Sequence, residues 1–298
     1  MMEYGKWGMN MLVDMKKMGK CFDPAQIEES GQCFRFVRRE KPLLNENEDI
    51  KATYTTISGG RFLEIGDLGD GRFEFSCSED EFRDFWHDYL DLDTDYEAIK
   101  ERIDPADSFL TAACRYGCGI RILRQDLWEM MISFIISQRK SIPAIRSAIE
   151  SLCSAYGKPI TVKNETFYAF PAPEALADLT VDDLKPHGVG YRDKYILRLA
   201  REVRDGMVVP EDYRRYSAEK AVSELTKLYG VGVKVANCIS LFGLHNIDAF
   251  PEDVWIKRVI SEEYGGYFDK DRYRGCAGVI QQYMFFYGKS REYAHRGP

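Results

Sequence analysis

In the first third of the chain apolar residues alternate with polar ones or gather in short runs; beyond it they recur every three or four positions. Residues 32–38 alternate, 51–57 are rich in threonine and β-branched side chains, and 61–65 and 72–75 flank a glycine-rich turn at 66–71. A period of two with that composition predicts an antiparallel sheet. From about Glu79 the period changes, and Phe82, Phe85, Trp86 and Tyr89 share one helical face. Asp126 with Glu129 reads as an acidic capping box ahead of Leu127, Met130, Met131, Phe134 and Ile135, a helix apolar enough to be central core. Further helices are predicted near 142–156, 173–179, 191–205, 217–229, 233–244, 254–264 and 276–287. The class is α+β, with a sheet-bearing N-terminal domain over 1–112 and a helical region over 113–298.

Composition narrows the class of protein. The 298 residues are 45% hydrophobic, enough for a large core, and the longest uncharged apolar stretches, 130–137 and 235–244, fall well short of a membrane helix. No membrane partner is expected. Glu3, Lys6, Asp14, Lys16 and Lys17 argue against an export signal, so a cytoplasmic protein with eight reduced cysteines is expected. Cys114 and Cys118 have no second pair or nearby histidine, and no zinc is read there. A net charge of −7 argues against nucleic acid until the chain is divided. Residues 1–110 carry 14 basic against 25 acidic residues, whereas 111–298 carry 27 against 23. A local basic face can hold phosphates whatever the net charge.

The chemistry concentrates late in the sequence. Ser217 can cap a helix bearing Ala218, Ala221, Val222, Leu225 and Leu228, Gly230-Val231-Gly232 breaks it, and a second helix begins at once. Such a turn presents backbone N–H groups at a helix start, where the dipole favours an anion; it is also ordinary architecture between packed helices. Lys234 lies in the first turn of the second helix, where the dipole disfavours an ammonium and a neutral amine is a nucleophile. A solvated surface lysine is the plainer reading. Nineteen positions later Asp253 stands ready to cap the next helix, and a carboxylate fixed there can also stabilise a sugar cation or move protons. Its neighbour Glu252 should point elsewhere.

Leu228-x-Gly230-Val231-Gly232-x-Lys234 followed by Pro251-x-Asp253 resembles the helix-hairpin-helix, Gly-Pro-Asp superfamily of base-excision DNA glycosylases. Further segments narrow the resemblance to the 8-oxoguanine DNA glycosylase family, of bacterial or archaeal type. These are Ser30-Gly31-Gln32-Cys33-Phe34-Arg35, Leu123-Arg124-Gln125-Asp126, Ser133-Phe134-Ile135, Gly190-Tyr191-Arg192, and Ala277-Gly278 leading to Gln281 and Phe285. The resemblance implies an N-terminal antiparallel sheet domain and two mainly α-helical lobes, with a helix-hairpin-helix at about 217–244. It implies a monomer acting on double-stranded DNA that contains oxidised guanine. Lys234 would attack the sugar, expel the base and nick the strand by β-elimination, with Asp253 stabilising charge and assisting proton transfer.

By the same resemblance, the Gly31 carbonyl would accept the N7–H that 8-oxoguanine has and guanine lacks, a close approach that glycine allows. Gln281 would bond the Watson–Crick edge, Phe285 would stack on the ring, and Cys238 would wall its other side. Taken alone, Phe285 and Cys238 read as core, Gln281 as surface and Gly31 as a turn glycine. Tyr191 would fill the vacated stack and Arg192 would touch the estranged base, in a stretch, 185–204, with six basic residues. Gly230 and Gly232 would hold phosphate, and Arg139 would also meet DNA.

Departures from the family pattern bear on the opposite base. Arg139 stands where asparagine is usual, Ala144 where a second arginine helps read cytosine, Trp255 where histidine follows the aspartate, and Tyr229 where the hairpin has proline. Only a mild preference for cytosine is expected. No cofactor is required on this reading; a monovalent cation on hairpin carbonyls is left open, and with only Cys276 after Asp253 no iron–sulfur cluster is expected. The alternatives are a monofunctional alkylated-base glycosylase, which lacks the lysine, and a non-catalytic hairpin module.

Overall fold

The computed structural model describes residues 10–18 and 20–295, with side chains to 290. The charges of Glu3 and Lys6 lie outside the described residues. Five strands, β1 (Met11–Asp14), β2 (Val37–Arg39), β3 (Ala52–Ser58), β4 (Arg61–Asp67) and β5 (Arg72–Phe75), form an antiparallel sheet in the order β1-β5-β4-β3-β2. Both faces of β3 and β4 are buried. Tyr54, Leu63 and Ile65 pack on Trp86, Tyr89, Leu92 and Leu123. Ile57 and Phe62 are covered by a second hairpin, β6 (Pro159–Val162) and β7 (Glu165–Tyr168), with the Phe62 and Phe167 ring centroids 4.6 Å apart. On that same face Glu64 is fully buried and accepts backbone N–H bonds from Leu43, Leu44 and Asn45 at 2.6, 2.8 and 2.7 Å. Three donors replace the water a buried carboxylate loses, so Glu64 anchors the loop that closes over the sheet.

The alternation at 32–38 predicts a strand, but only Val37–Arg39 pairs. The polar members of the pattern are buried instead: Gln32 donates to the Arg121 carbonyl at 2.8 Å and accepts from the Leu123 N–H at 2.9 Å. Side-chain amides rather than a ladder satisfy this stretch, which threads between sheet and helices.

The helices that frame the site are α1 (Pro24–Glu29), α2 (Ser108–Tyr116), α3 (Leu127–Ser137), α4 (Ile142–Tyr156), α5 (Asp193–Arg204), α6 (Ala218–Leu225), α7 (Val233–Gly243), α8 (Val254–Glu263) and α9 (Ala277–His295). Residue 112 falls inside α2, whose Phe109, Leu110 and Ala113 belong to the helical core. The expected central helix is α3, buried at ten successive positions from Leu127 to Ile136 and packed on α7. Its capping box is only half formed. Asp126 accepts from the Glu129 N–H at 2.8 Å, but Glu129 is buried near Arg35, and burial pushes its carboxyl up to about 7 against the pull of that guanidinium. The 79–89 helix contains a π-turn over Phe82–Trp86, which seats Trp86 fully in the sheet core. No helix among the described residues is long and apolar enough to cross a membrane.

Candidate active site

Five parts of the chain meet at one small cavity of about 50 Å³, α3 among them through Phe134. The turn after α1 contributes Gly31, α7 contributes Lys234 and Cys238, the start of α8 contributes Asp253, and α9 contributes Gln281 and Phe285. Ser30, Phe134, Phe242, Pro251 and Gln282 complete the lining. Phe134 and Phe242 stack nearly parallel with centroids 5.4 Å apart, giving the cavity a rigid aromatic floor. The cavity opens on a cleft of about 830 Å³ that shares Gly31, Phe134, Lys234, Asp253 and Phe285, with Lys140, Arg146, Trp255 and Lys289 along its walls.

Lys234 follows from the hairpin. Gly230 takes φ +84°, and a Cβ there would sit 2.4 Å from the Tyr195 ring, so only glycine fits both the conformation and the packing. Gly232 is extended and precedes the first turn of α7, which presents Lys234 at the cavity mouth. Lys234 is exposed, so the protein alone does not desolvate it. Its Nζ lies 5.8 Å from the Phe134 ring centroid, and it shares the cavity lining with the buried Cys238 thiol. Burial pushes that thiol up while Lys234 opposes the shift.

Asp253 accepts from the Trp255 and Ile256 N–H groups at 3.0 and 2.9 Å, so it does cap α8. It also lines the cavity, where burial raises its carboxyl above the usual range against those two bonds and the Lys234 charge. Capping and cavity lining thus fall on one residue. Glu252 is exposed and absent from the lining, as expected.

Gln281 is buried, not surface: its amide nitrogen donates to the Pro251 carbonyl at 3.1 Å. Gly31 has φ +74°, and a Cβ on it would meet Ile142 Cδ1 at 3.2 Å and Phe285 Cε1 at 3.7 Å. The half-buried Phe285 ring therefore rests near the Gly31 backbone, and the cavity has room for little more than a water or two.

The residues expected on the opposite strand are arranged differently. Tyr191 is 52% exposed at the start of α5. Arg192 is buried rather than presented: its guanidinium lies 4.4 Å from the Tyr191 ring and donates to the Val189 carbonyl at 3.0 Å and to the Gln138 carbonyl. Arg139 is exposed with φ +51°, in the left-handed region that asparagine tolerates better. Ala144 sits half-buried in the first turn of α4.

Sequence reasoning missed Gln138, whose amide donates to the Gly230 carbonyl at 3.0 Å, and Gln282. The signal for Gln282 was present, since two adjacent glutamines interrupt an otherwise apolar run on α9. Among the described residues no group of three or more His, Cys, Asp or Glu could hold a metal ion.

Two helices crossing at a glycine turn, with a lysine and an aspartate from successive helices aimed into one cavity, form the working end of a base-excision DNA repair protein. The family model for the HhH-GPD superfamily of such proteins matches residues 132–271. The sheet domain narrows the assignment, because the model for the 8-oxoguanine DNA glycosylase N-terminal domain matches residues 15–131. The chain belongs to the 8-oxoguanine DNA glycosylase family. It is 35% identical to MBOgg1, solved with a low-affinity DNA ligand, with a TM-score of 0.84 and coverage of 97% of this chain and 98% of that one. An 8-oxoguanine glycosylase/lyase of Clostridium acetobutylicum, solved with duplex DNA containing cytosine opposite the lesion, is 31% identical with a TM-score of 0.82, over 92% and 93% of the two chains. A probable N-glycosylase/DNA lyase of Methanothermobacter thermautotrophicus is 33% identical over 199 residues, 56% of this chain and 62% of that protein's length.

Proposed function

We propose that this protein is a bifunctional DNA glycosylase/AP lyase that extrudes 8-oxoguanine from duplex DNA, excises it and nicks the strand. The observation that carries the reading is the convergence of Gly31, Lys234, Cys238, Asp253, Gln281 and Phe285 on one cavity from four separate parts of the chain. The Lys234 amine attacks the anomeric carbon as the glycosidic bond breaks, and the base leaves with a proton. The sugar ring opens to an imine on Nζ; loss of a C2′ proton then expels the 3′ phosphate. Asp253, whose carboxyl burial already favours protonating, stabilises positive charge on the sugar and passes protons.

Free Lys234 is exposed, so the desolvation that favours attack comes from the DNA closing over it. The base needs more room than the free cavity has, so Phe285 moves off Gly31 to stack on it, against Cys238 on the other side. The Gly31 carbonyl then selects the lesion's N7–H. Tyr191 fills the vacated stack, Gly230 and Gly232 hold phosphate, and Arg139 and a released Arg192 face the opposite strand. With Ala144 offering no contact, cytosine opposite is preferred only mildly. No metal or organic cofactor is needed, since nucleophile and proton carrier are side chains. A monovalent cation on the hairpin would share it with Gln138, which already occupies the Gly230 carbonyl. The protein acts as a monomer in a prokaryotic cytoplasm.

Borohydride trapping on an 8-oxoguanine duplex tests the reading. The wild type forms a covalent adduct and Lys234→Gln binds the duplex without forming one. A trapped adduct or normal base release in Lys234→Gln would remove Lys234 from the role.

A further inference from the structure

Beside Gln281 the cavity holds a second buried amide whose orientation is fixed by its neighbours. The Pro251 carbonyl can only accept, so Gln281 must place its nitrogen there, at 3.1 Å, and turn its oxygen to Gln282. That oxygen accepts from Gln282 Nε2 at 3.0 Å, so Gln282 must present its own oxygen on the far side. Turning either amide round would set oxygen against oxygen. Gln282 is 3% exposed, lines the cavity, and its Oε1 is buried without a hydrogen-bond partner among the described residues. A buried acceptor without a donor is costly and calls for an explanation.

We propose that Gln282 is a specificity-determining residue, whose free oxygen accepts a hydrogen from the exocyclic 2-amine of the extruded base; this rests on the function proposed above. A guanine-type purine carries two donors side by side, N1–H and the 2-amine. Gln281 Oε1 keeps a second lone pair beyond its bond to Gln282, so the two amides offer one acceptor oxygen for each of the two donors. An adenine-type edge, with an acceptor at N1, meets oxygen with a lone pair and is rejected. The Gln282 nitrogen in turn keeps Gln281 in the orientation that reads N1.

The test compares single-turnover release of 8-oxoguanine with that of 8-oxohypoxanthine, which keeps N1–H and lacks the 2-amine. The wild type releases 8-oxoguanine at least about tenfold faster, as expected for one lost base contact. Gln282→Met, similar in size and unable to accept well, brings the two rates within about threefold by slowing 8-oxoguanine more. If Gln282 only supports Gln281, both rates fall together and their ratio stays at the wild-type value, which overturns the proposal. A wild-type ratio near one overturns it without any variant. A folded wild type that releases neither base refutes the proposed function instead.

Discussion

Gly31→Ala separates a folding role from a recognition role at the same residue. Its φ of +74° lies in the left-handed region, where a Cβ costs about 1–2 kcal/mol. Replacing glycine also restricts the unfolded chain, which returns about 0.4–1 kcal/mol. The net loss of stability is therefore about 1 kcal/mol, a fall in Tm of roughly 2 °C for a chain of this size. The new methyl would stand 3.2 Å from Ile142 Cδ1 and 3.7 Å from Phe285 Cε1, so Ile142 must give by a few tenths of an ångström, and the base must share its space with the methyl. Excision of 8-oxoguanine should then fall at least about tenfold, or 1.4 kcal/mol in the barrier, well beyond what so small a loss of folded protein explains. Gly206→Ala is the control: its φ of +72° carries the same backbone cost, and nothing lies within 4 Å of its Cβ. The assay is single-turnover base release beside a thermal melt for each variant. If Gly31→Ala excises at the wild-type rate, or Gly206→Ala loses as much activity as Gly31→Ala, the pocket argument is wrong.

The remaining expectations concern stability. Glu129 holds its proton to about 7 when folded, against about 4.5 unfolded, so its contribution is fully present below 4.5 and is lost as pH rises through 7. Glu129→Gln should therefore gain on the wild type by up to about 3 kcal/mol between pH 4.5 and 8, read as the difference in urea midpoints, and a constant difference across that range would refute it. Arg139→Asn relieves a left-handed arginine and should raise stability by about 0.5–1 kcal/mol while weakening duplex binding; an unchanged or lower Tm would show that φ +51° is not strained there.

What the sequence made legible follows from how much of each signal is local. The helix at 142–156 was readable to the residue because its apolar spacing, its proline near the start and Gly157 at its end all agree. The β6–β7 hairpin was not, because in its two-residue turn, Lys163-Asn164, it is the lysine and not the asparagine that takes positive φ, +49°. The pocket residues were reached through motif resemblance, since nothing local in Gln281 or Phe285 tells a base pocket from core. Glu129 was misassigned for the opposite reason: its local pattern fits a capping box, whereas its burial near Arg35 depends on the distant 32–36 segment. Arg192 was legible as an arginine beside a wedge-like tyrosine but not as a buried one, because its acceptor is the carbonyl of Gln138, 54 positions away.

Gln138 holds two parts of the molecule at once. Its side chain pins the Gly230 carbonyl, and its backbone carbonyl receives Arg192. The hairpin turn and the Tyr191–Arg192 corner are therefore not independent levers, although 38 residues separate Gly230 from Arg192. An Arg192 that swings out must give up its bonds to Val189 and Gln138 and its stacking on Tyr191, and it leaves a carbonyl without its donor on the residue that steadies the turn. On the proposed function, grip on one strand and reach toward the other are thus linked through a single glutamine: replacing its side chain removes the bond to the Gly230 carbonyl directly, and reaches Arg192 only through the backbone carbonyl that stays behind.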